Sequence, residues 1–132
     1  MSQEIFWLSL TAMLIGVLWM PYILNRFVEK GILPAIVDVN ADTTPSASWA
    51  KRLINAQQNA VENMVVFAPL AIAVHVTGLN TELTATAAMV YFYARLAHVI
   101  VYTLGVPVAR TVTFLIGFAC QAILGLTLLG LV

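Results

Sequence analysis

The sequence predicts an all-α fold, an integral membrane bundle of four spanning helices, and three observations carry that reading. The 132 residues are 61% hydrophobic and 9% charged, with a mean hydropathy of +0.94, against roughly 45 to 50% apolar and about 25% charged in soluble domains. The apolar residues gather into runs long enough to cross a hydrocarbon core, which takes about 20 residues of helix. Between the runs lie short segments rich in Gly, Pro, Asp, Asn and Thr, the residues that break helices and favour turns. Six Lys and Arg balance six Asp and Glu, so no basic surface exists to displace counterions from a polyanion, and nucleic acid is excluded as a partner. The single cysteine, Cys120, closes no internal disulfide, and no His/Cys cluster has metal-ligand spacing. The chain 1–132 reads as one membrane domain.

The first span covers 4–26, built on the apolar run 5–24 and closed by Met20 and Pro21 with the polar Asn25 and Arg26 behind them. Its only early charge is Glu4 and no small-residue cleavage pattern follows, so it is expected to be a retained helix and not a signal peptide. Residues 27–48 carry Gly31, Pro34, Asp38, Asn40, Asp42, Thr43, Thr44 and Pro45 and read as a connecting loop. The second span, 49–76, has a purely apolar part, 64–74, too short to cross alone, so it must extend back through the polar stretch 51–63. A half-polar helix cannot face lipid, and its polar half has to meet other helices or a water-filled cavity. Pro69 within it frees the carbonyl of Val65 and is expected to kink it. The third span, 83–104, is closed by Gly105 and the fourth, 107–131, opened by Pro107, the usual placing of glycine after a helix and proline in its first turn.

Four spans put both termini on one side. Arg26, Lys30, Lys51 and Arg52 flank the first loop and Arg110 follows the third, while the N-terminus and 76–82 hold no Lys or Arg. Loops one and three are therefore expected in the cytoplasm and the termini outside, with Trp7, Trp19 and Trp49 near helix ends.

Polar residues inside the spans fall into two stripes. On the second span Arg52, Asn55, Asn59 and Glu62 share an arc of about 80°, and on the third Tyr91, Arg95, His98 and Tyr102 share about 60°. At 1.5 Å per residue, Glu62 lies about 18 Å and Arg95 about 15 Å from the end at which both helices meet the surface. An unpaired charge at that depth is expensive, so a Glu62 to Arg95 ion pair is expected, and with Asn55, Tyr102, Arg52 and Arg110 nearer the mouth the stripes describe a polar funnel. A pair that only fixes helix register is the plain alternative. His75 reads as interfacial, Cys120 as an inert packing residue, and Gly117, Gln121 and Gly125, four apart, as a surface for close helix approach.

The segment Asn55-Ala56-Gln57-Gln58-Asn59-Ala60-Val61-Glu62-Asn63, then Phe67-Ala68-Pro69, then Arg95-Leu96-Ala97-His98 with Tyr102, and Arg110 opening the fourth span, resembles the MAPEG family, membrane-associated proteins in eicosanoid and glutathione metabolism. The resemblance covers about residues 52–126, and its most specific part is Asn-x-x-Glu joined to Arg-x-x-His-x-x-x-Tyr. It implies a homotrimer of four-helix subunits in contact with membrane lipid, binding glutathione at subunit interfaces and acting on a lipophilic small-molecule substrate. By the same resemblance Arg52, Asn55, Asn59, Glu62, Arg95, His98 and Tyr102 hold the tripeptide and Arg110 stabilises its thiolate; Thr111, next to Arg110, is expected to donate a hydroxyl hydrogen bond there.

Three positions depart from the family pattern. Gln58 stands where eicosanoid-synthesising relatives have arginine, Phe114 where some have tyrosine and Thr111 where some have serine. The sequence-level expectation is a glutathione-dependent transferase or peroxidase. The alternatives are a non-catalytic relative that binds a small molecule or lipid and, further off, a small multidrug exporter, whose key carboxylate would sit in a first span that is uncharged over 5–24. With no organellar targeting sequence or dilysine tail in the short termini and loops, a bacterial-type inner-membrane protein is expected.

Overall fold

The computed structural model describes residues 1–39 and 43–132, so Asn40 and Asp42, read above as turn formers, lie outside the described residues. Ser2 caps helix α1 (Gln3–Val17), its hydroxyl accepting from the Ile5 amide. At Leu18 the amide bonds back to the Ile15 carbonyl at 3.4 Å, a tightened turn, and α2 (Trp19–Lys30) follows at once. Gln57 of the second span bridges this break: its amide nitrogen donates to the Ile15 carbonyl at 3.4 Å and its oxygen accepts from the Tyr22 hydroxyl at 2.5 Å.

The first span therefore runs past residue 26 to Lys30, and 27–48 is not all loop. Pro21 falls in the first turn of α2, where its missing amide proton has no helical partner to lose, so it continues the chain as helix and does not stop it. Gly31 ends the helix instead, with a φ of 83° that favours glycine, and a short helix α3 (Ile32–Val37) comes next. Helix α4 (Ser48–Thr77) is unbroken across Pro69. Thr81 and Thr84 form a reciprocal capping box that starts α5 (Glu82–Leu104), and Pro107 opens α6 (Pro107–Leu128) with two residues between the helices.

Four helical stretches, Gln3–Lys30, Ser48–Thr77, Glu82–Leu104 and Pro107–Leu128, are long and apolar enough to cross a membrane, and no strand occurs among the described residues. Helix α5 is central, packed against α1, α4 and α6. Its small Ala87 and Ala88 let the neighbours approach, and its Tyr91 ring stacks on Phe67 with centroids 3.8 Å apart, beside Ala71, Val74, Cys120 and Leu124. Apolar chains such as Leu115 and Phe118 point outward, as lipid requires. At the end holding the termini, the buried Glu4 carboxylate accepts from Thr84 Oγ1 at 2.6 Å and Asn80 Nδ2 at 2.8 Å, tying α1 to the positive end of the α5 dipole.

Candidate functional site

Two residues, Gly105 and Val106, join α5 to α6, and a connection that short forces the last turn of the one and the first turns of the other to the same level. Tyr102 and Arg110 meet there, the guanidinium carbon 4.8 Å from the ring centroid. Asn59 of α4, His98 and Tyr102 of α5, and Arg110, Thr111 and Phe114 of α6 line a cleft of about 240 Å³. Helices α4 and α6, both packed against α5, thus bring one residue of the α4 stripe and the first turns of α6 to the His98 and Tyr102 end of the α5 stripe.

Behind the cleft Arg95 is 1% exposed. Its Nη2 donates to Asn59 Oδ1 at 2.7 Å and to His98 Nδ1 at 3.4 Å, and its Nε is buried with no partner. Arginine only donates, so His98 Nδ1 is the acceptor and a neutral ring carries its proton on Nε2. Asn63 fixes Asn59 in turn, its amide nitrogen donating to the Asn59 carbonyl at 2.8 Å and to Oδ1 at 3.3 Å. Beneath this layer the Gln121 amide donates to the Asn63 carbonyl at 3.1 Å and the Tyr91 hydroxyl at 3.4 Å, and Gly117 leaves room for the flank of Arg95.

The expected ion pair between Glu62 and Arg95 does not form. Glu62 lies about 60° further round α4 than Asn59, which turns it to the outside of the protomer, where it accepts from Gln58 Nε2 at 3.4 Å. Asn59 occupies the position facing Arg95, and a neutral amide takes the place the carboxylate was expected to fill. Asn55 is exposed as well and lines a separate cleft of about 300 Å³ with Thr43, Thr44, Pro45, Lys51 and Ile54. Arg52 donates through Nε to the Thr103 carbonyl at 2.7 Å and lies against Gly105, fastening α4 to the end of α5. The protomer therefore brings together Asn59, His98, Tyr102, Arg110 and Thr111, backs them with Arg95, and leaves Arg52, Asn55 and Glu62 elsewhere.

The Gln121 and Asn63 supports were not among the residues singled out for a site, although the four-residue recurrence of Gly117 and Gln121 marks the face of α6 from which Gln121 reaches Asn63 of α4. Glu4 carried no such sign in the sequence, because its partners Asn80 and Thr84 lie on a loop and helix distant in the chain.

The MAPEG family model matches residues 5–130, taking in every side chain of the cleft. The chain belongs to the MAPEG family. No curated protein and no solved structure matches it. In this MAPEG protein the cleft lies toward the Gly105 end of the bundle, and every Lys and Arg except Arg95 gathers at that same end, while the end holding the termini carries Glu4 and Glu82.

Proposed function

We propose that this MAPEG protein is a glutathione-dependent transferase or peroxidase acting on lipophilic electrophiles or hydroperoxides at the membrane. The observation that carries this reading is the cleft that sets Arg110 and Thr111 beside Asn59, His98 and Tyr102. Family membership supports a glutathione-related role in general, and the residues supply the particular chemistry. A free thiol with a pKa near 8.5 is mostly protonated at neutral pH, and only its thiolate attacks well. A guanidinium cannot deprotonate, so Arg110 at the mouth favours the thiolate without competing for its proton. The buried charge of Arg95, which binds no carboxylate among the described residues, adds a positive potential behind the cleft that suits an anionic tripeptide. As a transferase the thiolate forms a carbon–sulfur bond at the electrophilic carbon while the bond to the leaving group breaks and that group departs with the electron pair, or, in an addition or epoxide opening, the displaced pair takes a proton. As a peroxidase it attacks the hydroperoxide, the O–O bond breaks, the alkoxide takes a proton, and a second glutathione converts the sulfenic acid to the disulfide with release of water.

The same reading includes a homotrimer. Glu62 and Gln58 lie exposed on α4 near mid-span, a position lipid does not tolerate for polar groups, with Asn55 exposed on the same face nearer the mouth, and the apolar groove of Ala12, Ile15, Val61, Met64 and Val65 runs along the same flank. A neighbouring copy on this flank covers the polar face and brings Asn55 and Glu62 to an intersubunit site, as the family pattern implies. The gathered cations support a cytoplasmic cleft with external termini, and an inner bacterial membrane fits the short loops.

One observation favours a second reading, a MAPEG protein that binds its ligand without activating it: Phe114 places an apolar ring in the cleft wall, 6.4 Å from His98, where a hydroxyl would serve as a proton donor. The ultraviolet difference spectrum on adding glutathione to detergent-purified protein separates the two. A thiolate band at about 240 nm in the parent, reduced at least about tenfold in Arg110→Ala, is the expected result for an activating site. Binding without the band supports the second reading, and neither binding nor band defeats the glutathione assignment.

A further inference from the structure

One apolar group stands outside the spanning bundle. Past the turn at Gly31, α3 presents Ile32, Leu33, Ile36 and Val37 outward, each 62 to 69% exposed. The group extends a stripe on α2, where Met20, Leu24 and Val28 recur every four residues and are 46, 61 and 86% exposed. The other face of α2 is polar and turned toward the chain that follows. There Glu29 accepts from the Ser46 amide at 2.8 Å, from the Ala47 amide at 3.5 Å and from the Asn25 amide group, and Arg26 lines a cleft with Tyr22, Thr43 and Ile54.

Height along the bilayer follows from length. The stretch Gln3–Lys30 has 28 residues, about 42 Å of helix, against a hydrocarbon core of about 30 Å and a full thickness of about 40 to 45 Å. The end of α2 therefore reaches headgroup level, and α3, with 6 residues and no charge, starts there without the length to cross. An apolar surface of this kind in water is an association hazard, whereas apolar chains on one side and charges on the other fit the boundary between headgroups and acyl chains. Arg26 and Lys51, which line neighbouring clefts that share Thr43, Pro45 and Ile54, complement anionic headgroups at this level.

We propose that the α2–α3 elbow is an interfacial membrane anchor, with α3 lying flat in the leaflet at the Gly105 end and Ile32, Leu33, Ile36 and Val37 among the upper acyl chains. The anchor sits at the end of the bundle that holds Arg110 and its cleft, so it fixes the height of that end against the depth where lipophilic molecules partition. It stands whether or not glutathione is the ligand.

The test places single cysteines by Leu33→Cys and Ile36→Cys in a Cys120→Ala background. Each is labelled with an environment-sensitive fluorophore and reconstituted in vesicles of phosphatidylcholine and phosphatidylglycerol. Both positions are exposed, so the label disturbs no packing, and each variant is required to elute with the parent on gel filtration. The expected result is iodide quenching about fivefold below that of the free dye together with strong quenching by lipids carrying a shallow nitroxide. Iodide quenching equal to the free dye puts α3 in water and overturns the proposal. Protection from both quenchers means that protein, a second copy included, covers α3, and overturns it equally.

Discussion

Arg95 holds a full positive charge in the interior of the protomer with an amide, an imidazole and, among the described residues, no carboxylate bonded to it. A hydrogen bond from a charged donor contributes about 1.5 to 3 kcal/mol, and a buried charge stripped of its acceptor loses at least that much. Asn59→Leu is therefore expected to lower stability by about 2 to 3 kcal/mol, read as a fall in the thermal midpoint in detergent, while Asn59→Asp keeps an acceptor in place and restores folded yield. Glu62→Gln, facing outward with Gln58 as its partner, should leave the stability of the isolated protomer within about 0.5 kcal/mol of the parent. Equal losses in Asn59→Leu and Glu62→Gln would show that the two residues share the Arg95 charge after all. The sequence made both stripes legible, because identity and a 100° step place residues on a face. It left open which member of a stripe meets its neighbour, since that depends on how α4 is rotated about its own axis, a matter of packing against α1 and α6 that no local pattern encodes.

At the scale of helices, α5 and α6 approach closely where Gly117 sits against Tyr91 and Arg95. A Cβ built at Gly117 would lie 3.7 Å from the Tyr91 ring and 3.8 Å from Arg95 Cδ, ordinary contact distances. Gly117→Ala should then be tolerated and gain up to about 1 kcal/mol of helix propensity, whereas Gly117→Leu has to push the pair apart at about 1 to 3 kcal/mol. Thermal midpoints of the two variants check this, and a destabilised alanine variant would mean that the helices pack more tightly than these distances. The spans themselves were legible, since about 20 apolar residues in a row leave few alternatives, and Gly105 and Pro107 marked the α5–α6 turn correctly. The end of the first span was not legible for a specific reason: Pro21 is a breaker in a helix interior but an acceptable residue in a first turn, and the break at Leu18 that converts one into the other is stabilised by Gln57, 42 residues away from Ile15. Helix α3 was hidden for the same kind of reason, because Pro34 again occupies a first turn.

At the scale of the molecule, the protomer has two surfaces of opposite demand. Its apolar exterior suits lipid, but α4 exposes Asn55, Gln58 and Glu62 along a flank that lies within a spanning helix. The proposed trimer answers that demand: a neighbouring copy on this flank keeps Glu62 and Gln58, the deeper members, out of lipid. Val65, 70% exposed one turn from Glu62, reports on that contact. In a Cys120→Ala background, Val65→Cys should form intermolecular crosslinks under mild oxidation. The parent should have the mass of three protomers by light scattering after detergent correction. The crosslink requires that α4 face its counterpart, and the mass requires that the assembly close at three. A monodisperse single copy whose introduced thiol stays unreacted would place Glu62 in lipid, remove the intersubunit role of Asn55 and Glu62, and confine any glutathione chemistry to the cleft of Asn59, His98, Tyr102, Arg110 and Thr111 within one protomer.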